Sequence, residues 1–284
     1  MTTPSFPYKR IERKTVQLSK DLRWRWRKAL TSAVEIIKEE RRISGVTGPV
    51  TERERALLSE IVLMIGDDGF NLISDHIDEC VATGVVTATD SYVSGDYSFK
   101  EPSPVLIEEL KRTPRFVDEV AMDFLKESSF EYVRREDENT MSRFRVYLLE
   151  TLSKGGDPKS AARKMSADMG TELYKWNLIA RTETAKALQF GIFQQSKELG
   201  SDMVFVSSQP SSCSSCKRLL EDRLFKRADI EGASNVGVKP SSWKAAIPLH
   251  PNCTCIAMPA SDKKIKEVLG NKDKTTVTPS GVKL

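Results

Sequence analysis

The chain has 284 residues, 39% of them hydrophobic and 30% charged, with 44 basic against 40 acidic residues and a net charge of +4. That length supports one large domain or two modest ones with real cores, and no apolar run approaches the roughly 20 residues that span a bilayer. The charge balance is too mild to announce a nucleic-acid binder by itself, and the polar, basic N-terminus has no secretory apolar stretch, so neither a membrane partner nor export is expected.

Residues Thr15 to Glu40 carry a helical pattern, broken at Gly45 and Gly48. Inside it, Arg23-Trp24-Arg25-Trp26-Arg27-Lys28 alternates basic and aromatic residues. Extended, the run sets both tryptophans on one face and suits base stacking with phosphate contact. Helical, it is an amphipathic segment whose arginine stems cover apolar surface, for packing or for a protein partner. Thr51 and Glu54 form a capping box ahead of Leu57, Leu58, Ile61, Val62 and Ile65 at helical spacing, and Asp67-Asp68-Gly69 marks a stop. A further helix carries Leu72, Ile73, His76, Ile77, Cys80 and Val81 on one face and ends at Gly84. His76 and Cys80, four apart and with no other ligand nearby, read as core residues. Residues 85–104 read as a hairpin or linker.

The stretch from 105 to 200 is strongly helical. Thr113-Pro114 is a cap followed by proline at the first helical position, with Phe116, Val120 and Phe124 repeating every four residues behind it. Met141, Phe144, Leu148 and Leu152 mark the next helix, closed by Gly155-Gly156. Asp157-Pro158 repeats the cap-and-proline signature and opens a short helix ending near Gly170. A long last helix, about 171–199, stops at Gly200 with Lys197 in its final turn. Its apolar stripe of Leu173, Trp176, Ala180, Ala187 and Phe190 takes in Glu183. Arg181 and Glu183 are two apart and cannot pair with each other. Each needs another partner, either as an anchor for the region that follows or as an ion pair within the bundle.

Beyond Gly200 the texture changes. Met203–Val206 and Leu224–Lys226 read as short strands among serine, glycine and proline, a composition that needs a staple to hold a core. From Ser261 the chain is a polar, lysine-rich tail without periodicity.

Four of the five cysteines supply that staple. Cys213-Ser-Ser-Cys216 has the two-residue gap that lets both thiolates face one ion, and His250-Pro-Asn-Cys253-Thr-Cys255 brings a second cluster. Four of the five side chains Cys213, Cys216, His250, Cys253 and Cys255 complete a tetrahedral site, and the soft donors favour zinc. Cys253 and Cys255 lie on opposite faces of an extended segment, so one of the two is expected to bind. Disulfides between the clusters are the competing reading. A structural metal is favoured over a catalytic one. The zinc deaminases pair Cys-x-x-Cys with an upstream His-x-Glu, and here His76 precedes Ile77 and Asp78.

A helical bundle leading into Ala180-Arg181-Thr182-Glu183, then Cys213/Cys216, then Pro248-Leu249-His250-Pro251-Asn252-Cys253-Thr254-Cys255, resembles the phage head morphogenesis family of Mu F-type minor head proteins across about residues 115–258. The family often has an aspartate ahead of the first cysteine pair, where this chain reads Ser207 to Ser212, and an arginine where it has Thr254. Residues 1–110 match no family pattern. The resemblance implies a minor capsid protein of a tailed phage, assembled in the bacterial cytoplasm and carried in the virion at the portal vertex. Such a protein acts in head assembly, DNA packaging or DNA delivery. Its implied partners are the portal or major capsid protein, with packaged DNA touched through the basic ends. The readings from other classes are a zinc-containing nucleic-acid-binding protein and a metalloenzyme of nuclease or deaminase type.

The expected fold is mainly α: a helical bundle followed by a small zinc-stapled α+β or irregular module and a flexible C-terminal tail. The segments are 1–110, helical with a hairpin or linker; 111–200, the bundle; 201–260, the metal-binding module; and 261–284, the basic tail.

Overall fold

The structure, a computed structural model, describes residues 6–47, 50–95, 97, 103–111, 119–154, 156–171, 173–207, 213–220, 222–231, 247–250, 253 and 255–270. It is mostly helical, with one three-stranded sheet near the C-terminus. The chain divides into two compact units, both discontinuous in sequence. One comprises Met1–Thr15, His76–Leu125 and Ala180–Leu284, the other Val16–Asp75 and Lys126–Ile179.

Helix α1 runs Phe6–Ser44 and α2 runs Glu52–Ser94. Gly45, at φ +66°, closes α1, with its N–H on the Arg41 carbonyl at 3.0 Å. The capping box forms as its spacing requires: Thr51 N–H donates to Glu54 Oε2 at 2.7 Å and Glu54 N–H to Thr51 Oγ1 at 3.2 Å. Glu54 also receives Arg41 Nε at 2.6 Å, tying the end of α1 to the start of α2.

Three expected interruptions of α2 do not occur. Gly69 is not a stop: a Cβ there would lie 1.6 Å from Arg25 Nη1, so the glycine makes room for a guanidinium. Gly84 does not end a helix either. A Cβ on Gly84 would stand 2.2 Å from the Leu188 carbonyl oxygen, and one on Gly191 2.1 Å from that of Val81. These two glycines let backbones cross at close range, and a helix tolerates each at a cost near 1 kcal/mol. Residues 85–94, expected in a hairpin or linker, continue the helix to Gly95, whose φ is +65°.

Helix α3 spans Pro104–Lys111, and a single α4 of 35 residues spans Glu119–Ser153. Thr113, Pro114 and Phe116 lie outside the described residues. Val120 and Phe124, expected behind them as a packed repeat, are 79% and 71% exposed, whereas Met141, Phe144, Leu148 and Leu152 are buried as their spacing predicts. Helix α5, Pro158–Thr171, begins on an Asp157 cap, with Lys159 N–H on Asp157 Oδ1 at 3.0 Å. Helix α6, Leu173–Glu198, ends at Gly200 (φ +65°).

In the unit of residues 16–75 and 126–179, the basic–aromatic run is helical, which removes its extended stacking arrangement. Trp26 is fully buried and Arg25 nearly so. Trp26 Nε1 and Arg25 Nη2 both donate to Asp137 Oδ1 at 2.6 Å, and Arg25 Nη1 donates to the Ile65 carbonyl at 2.9 Å. Burial pushes the Asp137 carboxyl up to about 6, outweighing the pull of Arg25 and Trp26.

In the other unit, Cys80 is a core residue as expected, and His76 beside it is half-buried. His76 Nε2 meets Thr184 Oγ1 at 2.7 Å, and burial drives its pKa down to about 4. The sheet has order β2-β1-β3, all antiparallel, from β1 (Met203–Ser207), β2 (Arg223–Lys226) and β3 (Ile256–Pro259). The strands β1 and β2 sit where the sequence placed them. The third lies in a stretch read only for its cysteines. Short helices α7 (Ser214–Leu219) and α8 (Arg227–Ile230) flank β2. The start of the expected tail is ordered as α9, Asp262–Gly270, with Val268 buried against Phe205 and Leu224. Residues 271–284 lie outside the described residues.

Candidate metal centre

The cluster is assembled by a helix start and a turn. Cys213 stands just before α7 and Cys216 in its first turn, with Lys217 N–H on the Cys213 carbonyl at 3.0 Å. Three residues apart on a helix, the two side chains share a face. Opposite them, Cys253 N–H bonds the His250 carbonyl at 3.1 Å, so the chain turns between the imidazole and the third thiol.

The distances are short. His250 Nε2 lies 3.2 Å from both Cys213 Sγ and Cys216 Sγ, and Cys216 Sγ lies 3.7 Å from Cys253 Sγ. Cys213, Cys216 and His250 form one group of donor atoms within 4.8 Å of one another, and Cys216, Cys253 and Cys255 form a second. Cys216 belongs to both. All five side chains singled out from the sequence therefore gather into one cluster that could hold a metal ion. The cysteines are free thiols, and 3.7 Å is far beyond the roughly 2.05 Å of an S–S bond, so the disulfide reading finds no support in this geometry.

Cys253 and Cys255 do not diverge as an extended segment would make them. The strand begins only at Ile256, after the turn from His250, and both sulfurs lie within reach of Cys216. Cys253 is 1% and Cys255 4% exposed, whereas Cys213 faces solvent.

Electrostatics follow from this crowding. Hydrogen bonds to Cys253 and Cys255, with burial, push the Cys216 thiol up; the same Cys216 contact, with that of Cys255, holds Cys253 down as a thiolate. Burial opposes ionisation of Cys213, but hydrogen bonds from Cys216 and His250 outweigh it and the net shift is downward. Neutral thiols donating to a neighbouring thiolate are a proton-filled version of a metal site, and a bound cation would displace those protons.

The surrounding core is small and local. Cys216, Cys253 and Cys255 pack with Val204, Val206, Leu220, Phe225, Ile247 and Leu249, so three of the candidate ligands double as core residues. Glu183, weighed as an anchor for this region, instead pairs within its own helix, with Lys186 Nζ at 2.9 Å. The anchor is Gln189, which sequence reading missed. Its Nε2 donates to the Ala257 carbonyl at 3.0 Å and its Oε1 accepts the Ala257 N–H at 2.9 Å. One buried amide thus mimics a neighbouring strand along the free edge of β3, two residues past Cys255. Tyr97 does similar work further on: its hydroxyl donates to the Pro259 carbonyl at 3.0 Å and accepts the Ser261 N–H at 2.7 Å. No sequence signal separates such a glutamine from any other polar residue on a helix. The Ile256-Ala257-Met258 run was a usable hint of the strand.

No family model, curated protein or solved structure matches the chain.

Proposed function

We propose that this chain is a minor capsid, head-morphogenesis protein of a tailed phage, positioned at the portal vertex, and that its Cys/His cluster holds one structural zinc ion. The observation that carries the reading is the convergence of the two motif halves. The resemblance rests on an ordered series ending in Cys213/Cys216 and His250/Cys253/Cys255, and these residues meet in one cluster. The helix bearing Ala180-Arg181-Thr182-Glu183 holds that module through Gln189.

The donor set fits zinc. A tetrahedral ion with Zn–S near 2.3 Å separates two of its sulfurs by about 3.8 Å. The 3.7 Å between Cys216 and Cys253 matches, and the four ligands would be Cys213, Cys216 and His250 with one of Cys253 and Cys255. Bound there, zinc supplies a cross-link between the start of α7 and the turn ahead of β3. Five protein donors compete for four positions, leaving no vacancy for a substrate; a closed site is a structural site. The metalloenzyme alternative needs that vacancy. The nucleic-acid alternative loses its stacking run, since Trp26 and Arg25 are buried.

The test is co-expression with the portal and major capsid proteins of the same particle, followed by sedimentation and labelled electron microscopy of the heads. Label at a single vertex, in far fewer copies than the major capsid protein, is the expected result. A chain that stays out of the heads while binding DNA in a strongly salt-dependent manner would overturn it. Elemental analysis separately should return one zinc per chain.

A further inference from the structure

The unit built from Val16–Asp75 and Lys126–Ile179 carries a feature that the metal-centred reading leaves unused. Between α1 and α2 lies a groove of about 680 Å³. Its apolar surface includes Trp24 at 57% exposure, Met64 at 68% and Ile36 at 37%, with Leu72 half-buried. Single exposed apolar residues are ordinary, but large ones gathered along one groove mark an interaction surface.

Carboxylates outnumber cations at the rim, three to two. Asp68 and Asp75, both exposed, stand seven residues apart on α2, which places them on one face about 10.5 Å apart. Neither has a cation within ion-pair distance among the described residues, although Asp68 lies in the field of Arg25. Asp21 adds a third carboxylate from α1, held by Gln17 at 2.9 Å. Of the two cations lining the groove, Arg25 is buried and spent on Asp137. Lys28 lies over the Trp24 ring at 3.5 Å.

The geometry points to this groove as the docking site for an amphipathic helix of another polypeptide, one carrying lysine or arginine two turns apart beside its apolar stripe. An apolar groove flanked by two helices is the kind of surface that takes an amphipathic helix in helix-in-groove recognition. Such a helix would set its apolar side on Trp24, Met64 and Ile36 and its cations on Asp68 and Asp75. The acidic rim disfavours the two other large classes of partner, nucleic acid and anionic lipid, since both would meet like charge. The inference stands apart from the capsid reading, because none of the residues it uses belongs to the metal cluster.

The experiment uses the full chain and a synthetic leucine–lysine helical peptide with lysines two turns apart, against the same peptide with glutamate for lysine. Trp24 is the reporter, read as a blue shift and intensity change on titration, with Trp24→Phe as the signal control. The lysine peptide is expected to bind and the glutamate peptide not to. Asp68→Lys with Asp75→Lys should weaken the lysine peptide by about tenfold, with the effect shrinking in high salt. Met64→Glu should abolish binding. All three positions are exposed, so the fold should survive substitution, checked by circular dichroism. Equal binding of both peptides, no binding of either, or indifference to the charge reversal overturns the proposal. Concentration-dependent self-association lost in Met64→Glu would also overturn it, naming a second copy as the occupant.

Discussion

Replacing Gln189 by leucine tests how the helical body holds the Cys/His module. The glutamine is 3% exposed, and its amide makes two hydrogen bonds to the backbone of Ala257. In the antiparallel register Val206 faces Ala257, and β3 is the edge strand, so the Ala257 N–H and carbonyl that meet Gln189 have no further strand to pair with. Leucine fills most of the volume but leaves both buried backbone groups unsatisfied. Each stranded group costs about 1–3 kcal/mol, so the substitution should destabilise the unit by about 2–6 kcal/mol. Ile256, Ala257 and Met258 follow directly on Cys255, so the loss should reach the cluster as weaker metal binding. Urea unfolding gives the first quantity, chelator competition the second, and hydrogen exchange at the Ala257 amide locates the effect. A destabilisation below about 0.5 kcal/mol, with the Ala257 amide still protected, would refute the reasoning. Gln189→Glu offers a sharper contrast, since it keeps the shape and the acceptor but loses the donor to the Ala257 carbonyl.

Chelation should release one metal per chain and make the buried thiols of Cys216 and Cys253 reactive, which a timed thiol titration reads; Cys80, packed away from the cluster, should remain slow. Gly84→Ala should lower stability by about 1–3 kcal/mol despite alanine's better helix propensity, because the new methyl would meet the Leu188 carbonyl, and thermal unfolding measures it. His76 has a folded pKa depressed from 6.5 to about 4, so its contribution is present above pH 6.5 and lost as pH falls through 4. Urea melts should lose about 3 kcal/mol across that window, and His76→Gln should flatten the slope. Asp137 has the opposite sign: its folded pKa is raised from 3.8 to about 6, so stability is present below 3.8 and falls away as pH rises through 6. Asp137→Asn should remove that fall in the same melts.

Local chemistry in the sequence determined a good deal here. The Thr51–Glu54 box, the Asp157-Pro158 start and the Gly200 stop depend on neighbours within a few residues, and each formed as its spacing required. The heavy use of Met141, Phe144, Leu148 and Leu152 at helical period fixed a buried face. The clustering of Cys213, Cys216, His250, Cys253 and Cys255 was legible because soft donors at short, repeated gaps are rare without a purpose. What the sequence could not decide was the meaning of a glycine or a charge whose partner is distant. Gly69 and Gly84 look like helix stops until Arg25 and Leu188 are brought against them, and then they are contact surfaces inside one long helix. Arg25 and Trp26 stand in a run open to a protein partner, to packing or to nucleic acid until Asp137, more than a hundred residues away, takes both donors. Gln189 carries no signal at all in one dimension. Its role exists only because the tertiary fold leaves the edge of β3 beside α6, where two buried backbone groups need a partner.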